Sequence, residues 1–173
     1  MAMTSDRIRA VRGEADAQAV CADIRRSGAF VEFARRFMRD DDRKVARNAL
    51  WILTKATDDE LSALQSMLGD FIGLAMQTQD SSVRRLSLNV IERLGITKDS
   101  LRTDFLDFCL ERMTAVDELP GAQSLCMKLA YRMCRLYPEL EGEFQRTLKA
   151  MEIDYYTPAV RSVRSRIMSG KRV

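Results

Sequence analysis

The chain has no histidine. That absence removes both the commonest general base near neutral pH and the commonest transition-metal ligand, so a Ser-His-Asp triad and a histidine-bearing zinc site are excluded. Four cysteines, Cys21, Cys109, Cys126 and Cys134, show no CxxC spacing and supply no substitute ligand set. They occupy apolar helical positions and read as buried free thiols in a reducing compartment; a redox pair or a disulfide is the alternative. Glycine is scarce, with 8 in the chain, and Gly69, Gly73 and Gly95 build neither a dinucleotide fingerprint nor a phosphate-binding loop. No cofactor and no metal is expected. Long apolar runs are missing too: residues 49–53 form the longest near the N-terminus, where Asp6, Arg7, Arg9 and Arg12 crowd the first turns. No leader peptide and no membrane span is expected, and the cytoplasm is the expected compartment.

What remains is 46% apolar and 31% charged, with 3 prolines, the profile of a helix-rich chain of 173 residues forming a single domain, 1–173. Its organisation lies in a repeat. DRKVARNALWIL, from Asp42, returns 38 residues later as DSSVRRLSLNVI, from Asp80. Val45 pairs with Val83, Ala49 with Ser87, Leu50 with Leu88, Ile52 with Val90, Leu53 with Ile91 and Ala56 with Leu94. A further 39 residues on, Ala122, Cys126, Met127, Leu129, Ala130 and Met133 take the same places, and a fainter copy starts near Val160. Periods of this size mark helical solenoids. Within each copy the apolar residues lie along one stripe of a 3.6-residue helix.

The intervening segments are helical as well. Thr57 with Glu60 forms a capping box ahead of Leu61, Leu64, Leu68, Phe71, Ile72 and Ala75, a helix that Gly69 and Gly73 are expected to bend. Its counterpart is expected over residues 99–115, and Pro138 and Pro158 suit the first turns of new helices. The expected hairpins are 14–39, 42–78, 81–115 and 121–153, with a capping helix over 158–169 and a short extra turn before residue 11. Hairpins this short bury their apolar faces only by stacking on their neighbours.

Asp80, Val83 and Arg84, followed by Ser87, Val90 and Ile91, resemble the first helix of a HEAT repeat. Asp42, Val45, Ala49, Ile52 and Leu53 match the same pattern, with Ala46 where the family has arginine; the third copy lacks both the Asp and the Arg. Residues 40–168 are thus similar to the HEAT and armadillo superfamily. The resemblance implies an all-α fold, a right-handed α-α superhelix of about four stacked hairpins, whose second helices line an inner surface that grips protein or nucleic acid. The repeat period, the missing histidine and the missing cofactor signatures together point to a non-enzymatic scaffold or adaptor with a protein partner. The chain is also similar in repeat style to the DNA alkylation repair glycosylases, which makes a nucleic-acid-binding module the alternative, although no aromatic and acidic cluster matches theirs.

Charge bears on that choice. Residues 1–56 carry 12 Lys/Arg against 8 Asp/Glu, residues 57–119 carry 6 against 12, and residues 120–173 carry 10 against 5. An acidic middle interrupts any continuous phosphate-tracking surface. The candidate partner-binding residues are Arg35, Arg36, Arg39, Arg43 and Arg47, with Lys44 among them, and Trp51, the sole tryptophan. They read either as a solvated polar face balanced by Asp40, Asp41 and Asp42, or as a site for an acidic protein segment or a phosphate backbone. Trp51 is either helix packing or an exposed anchor. Arg161, Arg164, Arg166, Lys171 and Arg172 form a second basic cluster, and Tyr155 and Tyr156 read as packing or as a docking edge. The methionines read as core gap-fillers. The oligomeric state stays open, since it turns on how polar the two end helices are.

Overall fold

Helices begin where a side chain takes over orphaned amides, and two copies of the repeat do this alike. In the computed structural model, which describes residues 3–173, the Asp42 carboxylate accepts from the backbone N–H of Lys44 (2.8 Å) and Val45 (3.4 Å). Asp80 accepts in the same way from Ser82 (2.9 Å) and Val83 (3.0 Å). The third copy has Leu119 at that place, and Pro120, which has no amide to satisfy, opens its helix.

Among the described residues the chain is all-helical. In order run α1 (Ser5–Arg9), α2 (Glu14–Ser27), α3 (Phe30–Phe37), α4 (Arg43–Leu53), α5 (Asp58–Ser62), α6 (Leu68–Gln77) and α7 (Ser81–Arg93). Then come α8 (Thr103–Thr114), α9 (Pro120–Leu136), α10 (Pro138–Ala150) and α11 (Pro158–Met168), with 3₁₀ turns at Gln65–Met67 and Ile153–Tyr155. The helices gather into two compact units, Met1–Leu94 and Gly95–Val173. No helix among the described residues is long and apolar enough to cross a membrane.

In the first unit α4 is the hub, touching α1, α2, α3 and α7. Val45, Ala49, Leu50, Ile52 and Leu53 are all fully buried, as are Leu88, Val90 and Ile91 at the matching places of α7. Ala49 and Ser87 keep the helices close, because neither carries more than two heavy atoms beyond Cα. Polar contacts hold the copies in register. Arg9 of α1 reaches Asp42 (2.5 Å) and Arg43 of α4 reaches Asp80 (2.9 Å), so each capping aspartate is gripped by an arginine from earlier in the chain. Arg25 pairs with Glu60, and Arg93 pairs with Asp58 (2.9 Å) while donating to the Ala56 and Thr54 carbonyls. The Asp42 carboxyl is held below the ordinary range by the Arg9 guanidinium and the Lys44 amide.

The segment after Thr57 differs from expectation. The capping box forms, with Thr57 N donating to Glu60 (2.8 Å) and Glu60 N to Thr57 Oγ1 (3.3 Å). The helix nevertheless breaks between α5 and α6, and Gly69 and Gly73 sit inside α6 without breaking it. Leu61, Leu64 and Met67 explain the break: all three are buried at a spacing of three. A 3₁₀ winding eclipses residues i and i+3, whereas an α-helix puts them on one face but out of line. From Leu68 the buried positions return to the α spacing. The next second helix starts at Thr103 rather than near Asp99, because Ser100 is used in a turn with Thr97.

The second unit is organised about α9, which packs on α8, α10 and α11. Its core holds Cys109, Met113, Cys126, Met127, Met133, Phe144 and Leu148. The family's arginine position shows its physical role by comparison of copies. Arg84 donates to the Thr78 carbonyl (2.9 Å) in the turn before α7, and Gln123 donates to the Ala115 carbonyl (2.6 Å) in the turn before α9. Gln123 thus does in the third copy what Arg84 does in the second.

Candidate functional site

Positions 44, 47, 48 and 51 form a stripe on α4 turned away from Val45 and Ile52, since residues three and four apart share a helix face. The repeat sets a second such stripe beside it on α7, at 82, 85 and 86. The two stripes, with Val11 and Arg12 from the α1–α2 connection, enclose a concavity of about 420 Å³. Four cations line it: Arg12, Lys44, Arg47 and Arg85. No acidic residue is among its lining, and of its apolar residues Val11 and Leu86 are buried while Trp51 is half-buried.

Two polar residues fix this geometry from beneath. Asn48 is buried, and its Nδ2 donates to the Ile8 carbonyl (2.9 Å) and the Val11 carbonyl (3.1 Å), tying the segment that carries Arg12 onto α4. Lys55 places its ammonium 5.6 Å from the Trp51 ring centroid and is itself held by Glu14 at 2.8 Å. Trp51 is therefore backed by a cation–π contact.

The structure divides the six residues predicted from sequence. Arg47 and Trp51 come together in this groove. Arg39 and Arg43 belong to a different concavity, about 440 Å³, at the turns leading into α4 and α7. There Arg39 donates to the Asp70 carbonyl (3.1 Å) and Arg43 pairs with Asp80. Burial pushes the Asp80 carboxyl up, but the Val83 and Ser82 amides and Arg43 together hold it below its ordinary value. Arg36 lies over the Phe37 ring at 4.9 Å, and Arg35 is exposed on the last turn of α3. Sequence reasoning did not group Arg12 and Arg85 with Arg47. The signal was present for Arg85, which stands 38 residues after Arg47 at the same place in the repeat; for Arg12 there was none, because Asn48 brings it in through the backbone.

In the second unit the basic cluster is partly spent on structure. Arg164 donates to the Leu148 carbonyl (2.8 Å) at the end of α10, and Arg166 to the Arg172 carbonyl (2.6 Å). The two tyrosines part company: Tyr156 donates to the Thr114 carbonyl (2.8 Å), whereas Tyr155 is 69% exposed. All four cysteines are buried and free. Burial pushes the Cys109 thiol well up, reinforced by its hydrogen bond with Cys126, and burial with the charges of Glu143 and Glu141 raises Cys134 to about 11. Thiols held protonated in this way are poor nucleophiles.

Comparison with known proteins gives one match. The family model described as HEAT repeat domain covers residues 4–171. No curated protein and no solved structure matches the chain.

Proposed function

The chain belongs to the HEAT repeat domain family, and from that premise we propose that it is a non-enzymatic scaffold or adaptor that holds a protein partner, with the cytoplasm as its place of work. A fold of stacked helices hosts many functions, so the reading rests on the surface rather than on the fold. The observation that carries it is the groove between α4 and α7, where Arg12, Lys44, Arg47 and Arg85 surround Trp51. Arginine and tryptophan gathered in one concavity are the residue types that anchor protein interfaces. Chemistry on a substrate finds no support in the side chains: there is no histidine to act as base, and the raised thiols Cys109 and Cys134 are not activated.

Nucleic-acid binding is the competing use of basic side chains. The first unit carries 15 Lys/Arg against 14 Asp/Glu, a balance that gives a long polyanion little net attraction. A photo-crosslinking side chain placed at position 82 of the full chain, where the uncharged Ser82 lines the groove, in extract of the native host, decides between them. The expected adduct is a polypeptide that survives nuclease and disappears when Arg47 is also changed to glutamate. An adduct that nuclease removes overturns the scaffold reading.

A further inference from the structure

We propose that the groove between α4 and α7 binds a carboxylate-rich peptide segment that also offers an apolar or aromatic side chain next to its acids. This deepens the scaffold reading and rests on it. The contrast between the two concavities of the first unit carries the argument. Around the α3–α4 and α6–α7 turns each cation has its counter-group: Arg43 has Asp80, and Arg39 has the Asp70 carbonyl. In the groove one helix turn away, four cations share a lining that holds no acid. Like charges three residues apart on a helix, as Lys44 and Arg47 are, repel each other. Arg85 comes from the facing helix and adds to the repulsion. The unit as a whole is balanced at 15 Lys/Arg against 14 Asp/Glu, so this segregation is local. It is relieved by a ligand that brings the missing carboxylates.

The chemistry of the lining narrows the ligand further. A phosphate cradle draws on free backbone amides at helix starts. Here those amides are taken: Asp42 accepts from Lys44 N and Val45 N, and Asp80 from Ser82 N and Val83 N. What the groove offers is side-chain guanidinium groups, whose planar forks match carboxylates and phosphates alike, so the choice between them falls to the spent amides and to the apolar ring beside the cations. At about 420 Å³ the hollow lies at the small end of ordinary ligand pockets, roughly 300–1,000 Å³, with room for a few side chains. Val11 and Leu86 are buried, so the half-buried Trp51 is the apolar surface that the groove presents, and an acidic ligand without an apolar group leaves it uncovered. Lys55 makes a cation–π contact with Trp51 at 5.6 Å from the ring centroid, which restrains the indole that the ligand meets.

Because Trp51 is the only tryptophan, its emission reports on the groove directly. The test titrates the full chain with a short glutamate-rich peptide built around one phenylalanine, and in parallel with a single-stranded DNA oligonucleotide of equal charge. The expected result is a saturable change in Trp51 emission by the peptide that weakens as salt is added. Arg47→Glu and Arg85→Glu, each confirmed folded by circular dichroism, are expected to weaken it about tenfold or more apiece. Arg35→Glu and Arg36→Glu, on α3, are expected to leave it unchanged. A glutamate-rich peptide without the phenylalanine is expected to bind several-fold more weakly. Tighter binding of the oligonucleotide, or peptide binding that survives both reversals, overturns the proposal, as does the absence of saturable binding at low salt. In that last case a polypeptide adduct from position 82 still leaves the scaffold reading standing, so the two fail separately.

Discussion

Replacing Asn48 with alanine tests whether the repeat core and the groove are physically coupled. Asn48 is 5% exposed and gives its side-chain amide to Ile8 O at 2.9 Å and Val11 O at 3.1 Å. The two acceptors do not suffer equally. Ile8 O keeps the Val11 backbone amide at 3.1 Å, whereas Val11 O loses the donor that the structure gives it. Two net hydrogen bonds at about 1 kcal/mol each, with one carbonyl left short of a donor, place the cost at about 2–3 kcal/mol. Because α1 is a single short helix, marginal by itself, the loss should appear first as local opening. At 1.4 kcal/mol per tenfold, amide exchange in α1 should accelerate on the order of a hundredfold. The measurement is hydrogen exchange resolved by segment, with urea unfolding alongside. Asn48→Asp should be worse than Asn48→Ala, because it points a carboxylate at two carbonyl acceptors. If Asn48→Ala changes exchange in α1 by less than about twofold, the hydrogen bonds do not hold α1 and the argument fails.

Three other substitutions probe separate links. Ser87 is fully buried and its hydroxyl meets no partner among the described residues; Ser87→Ala, the residue already present at Ala49, should stabilise the first unit by about 0.5–2 kcal/mol in urea unfolding. Gly69 lies inside α6, and an added Cβ there meets nothing within 4 Å, so Gly69→Ala should raise stability by roughly 0.5–1 kcal/mol, against a loss if the glycine were a needed hinge. The Glu60 carboxyl is lowered from 4.5 to about 2, chiefly by its hydrogen bond from Arg25 and then by the Thr57 amide, against an opposing effect of burial. Its folded-state value lies below its unfolded one, so its contribution is complete above pH 4.5 and is lost as pH falls towards 2. Glu60→Gln should flatten the acid limb of the stability profile across that window, and an unchanged limb counts against the Arg25 contact.

The fold was legible because its signal is redundant. Val45, Ala49, Ile52 and Leu53 return as Val83, Ser87, Val90 and Ile91, and a stripe repeated at a fixed period admits few readings other than stacked helices. The Thr57 capping box was legible for a similar reason, being a local contact between near neighbours. The break at Gln65–Met67 was missed because Leu61, Leu64, Met67 and Leu68 also satisfy a loose α pattern; what separates 3₁₀ from α here is which of them must be buried together, a tertiary matter. For the site, adjacency in sequence was a poor guide. Arg35, Arg36, Arg39, Arg43 and Arg47 are close along the chain, yet Arg47 lines the groove, Arg39 and Arg43 line the second concavity, and Arg35 and Arg36 stay on α3. The groove instead joins residues one repeat apart, and Arg12 enters it only through Asn48.

The repeat therefore constrains two surfaces of α4 in different ways. The face carrying Val45, Ala49, Ile52 and Leu53 is bound to its copies by packing, where even one methylene matters. On the opposite stripe, Lys44 and Arg47 are exposed and Trp51 is half-buried, and α7 carries Ser82, Arg85 and Asn89 in the same register with an equally well-packed core behind them. The stripe can change its charge and aromaticity while the core stays as it is, which is what lets one architecture present different binding surfaces. Asn48 is the exception on that stripe, since its copy is Leu86, an apolar residue with no short helix to hold. It belongs to the stripe by position and to the core by its bonds, and it is the point at which the end helix, the groove and the stack depend on one another.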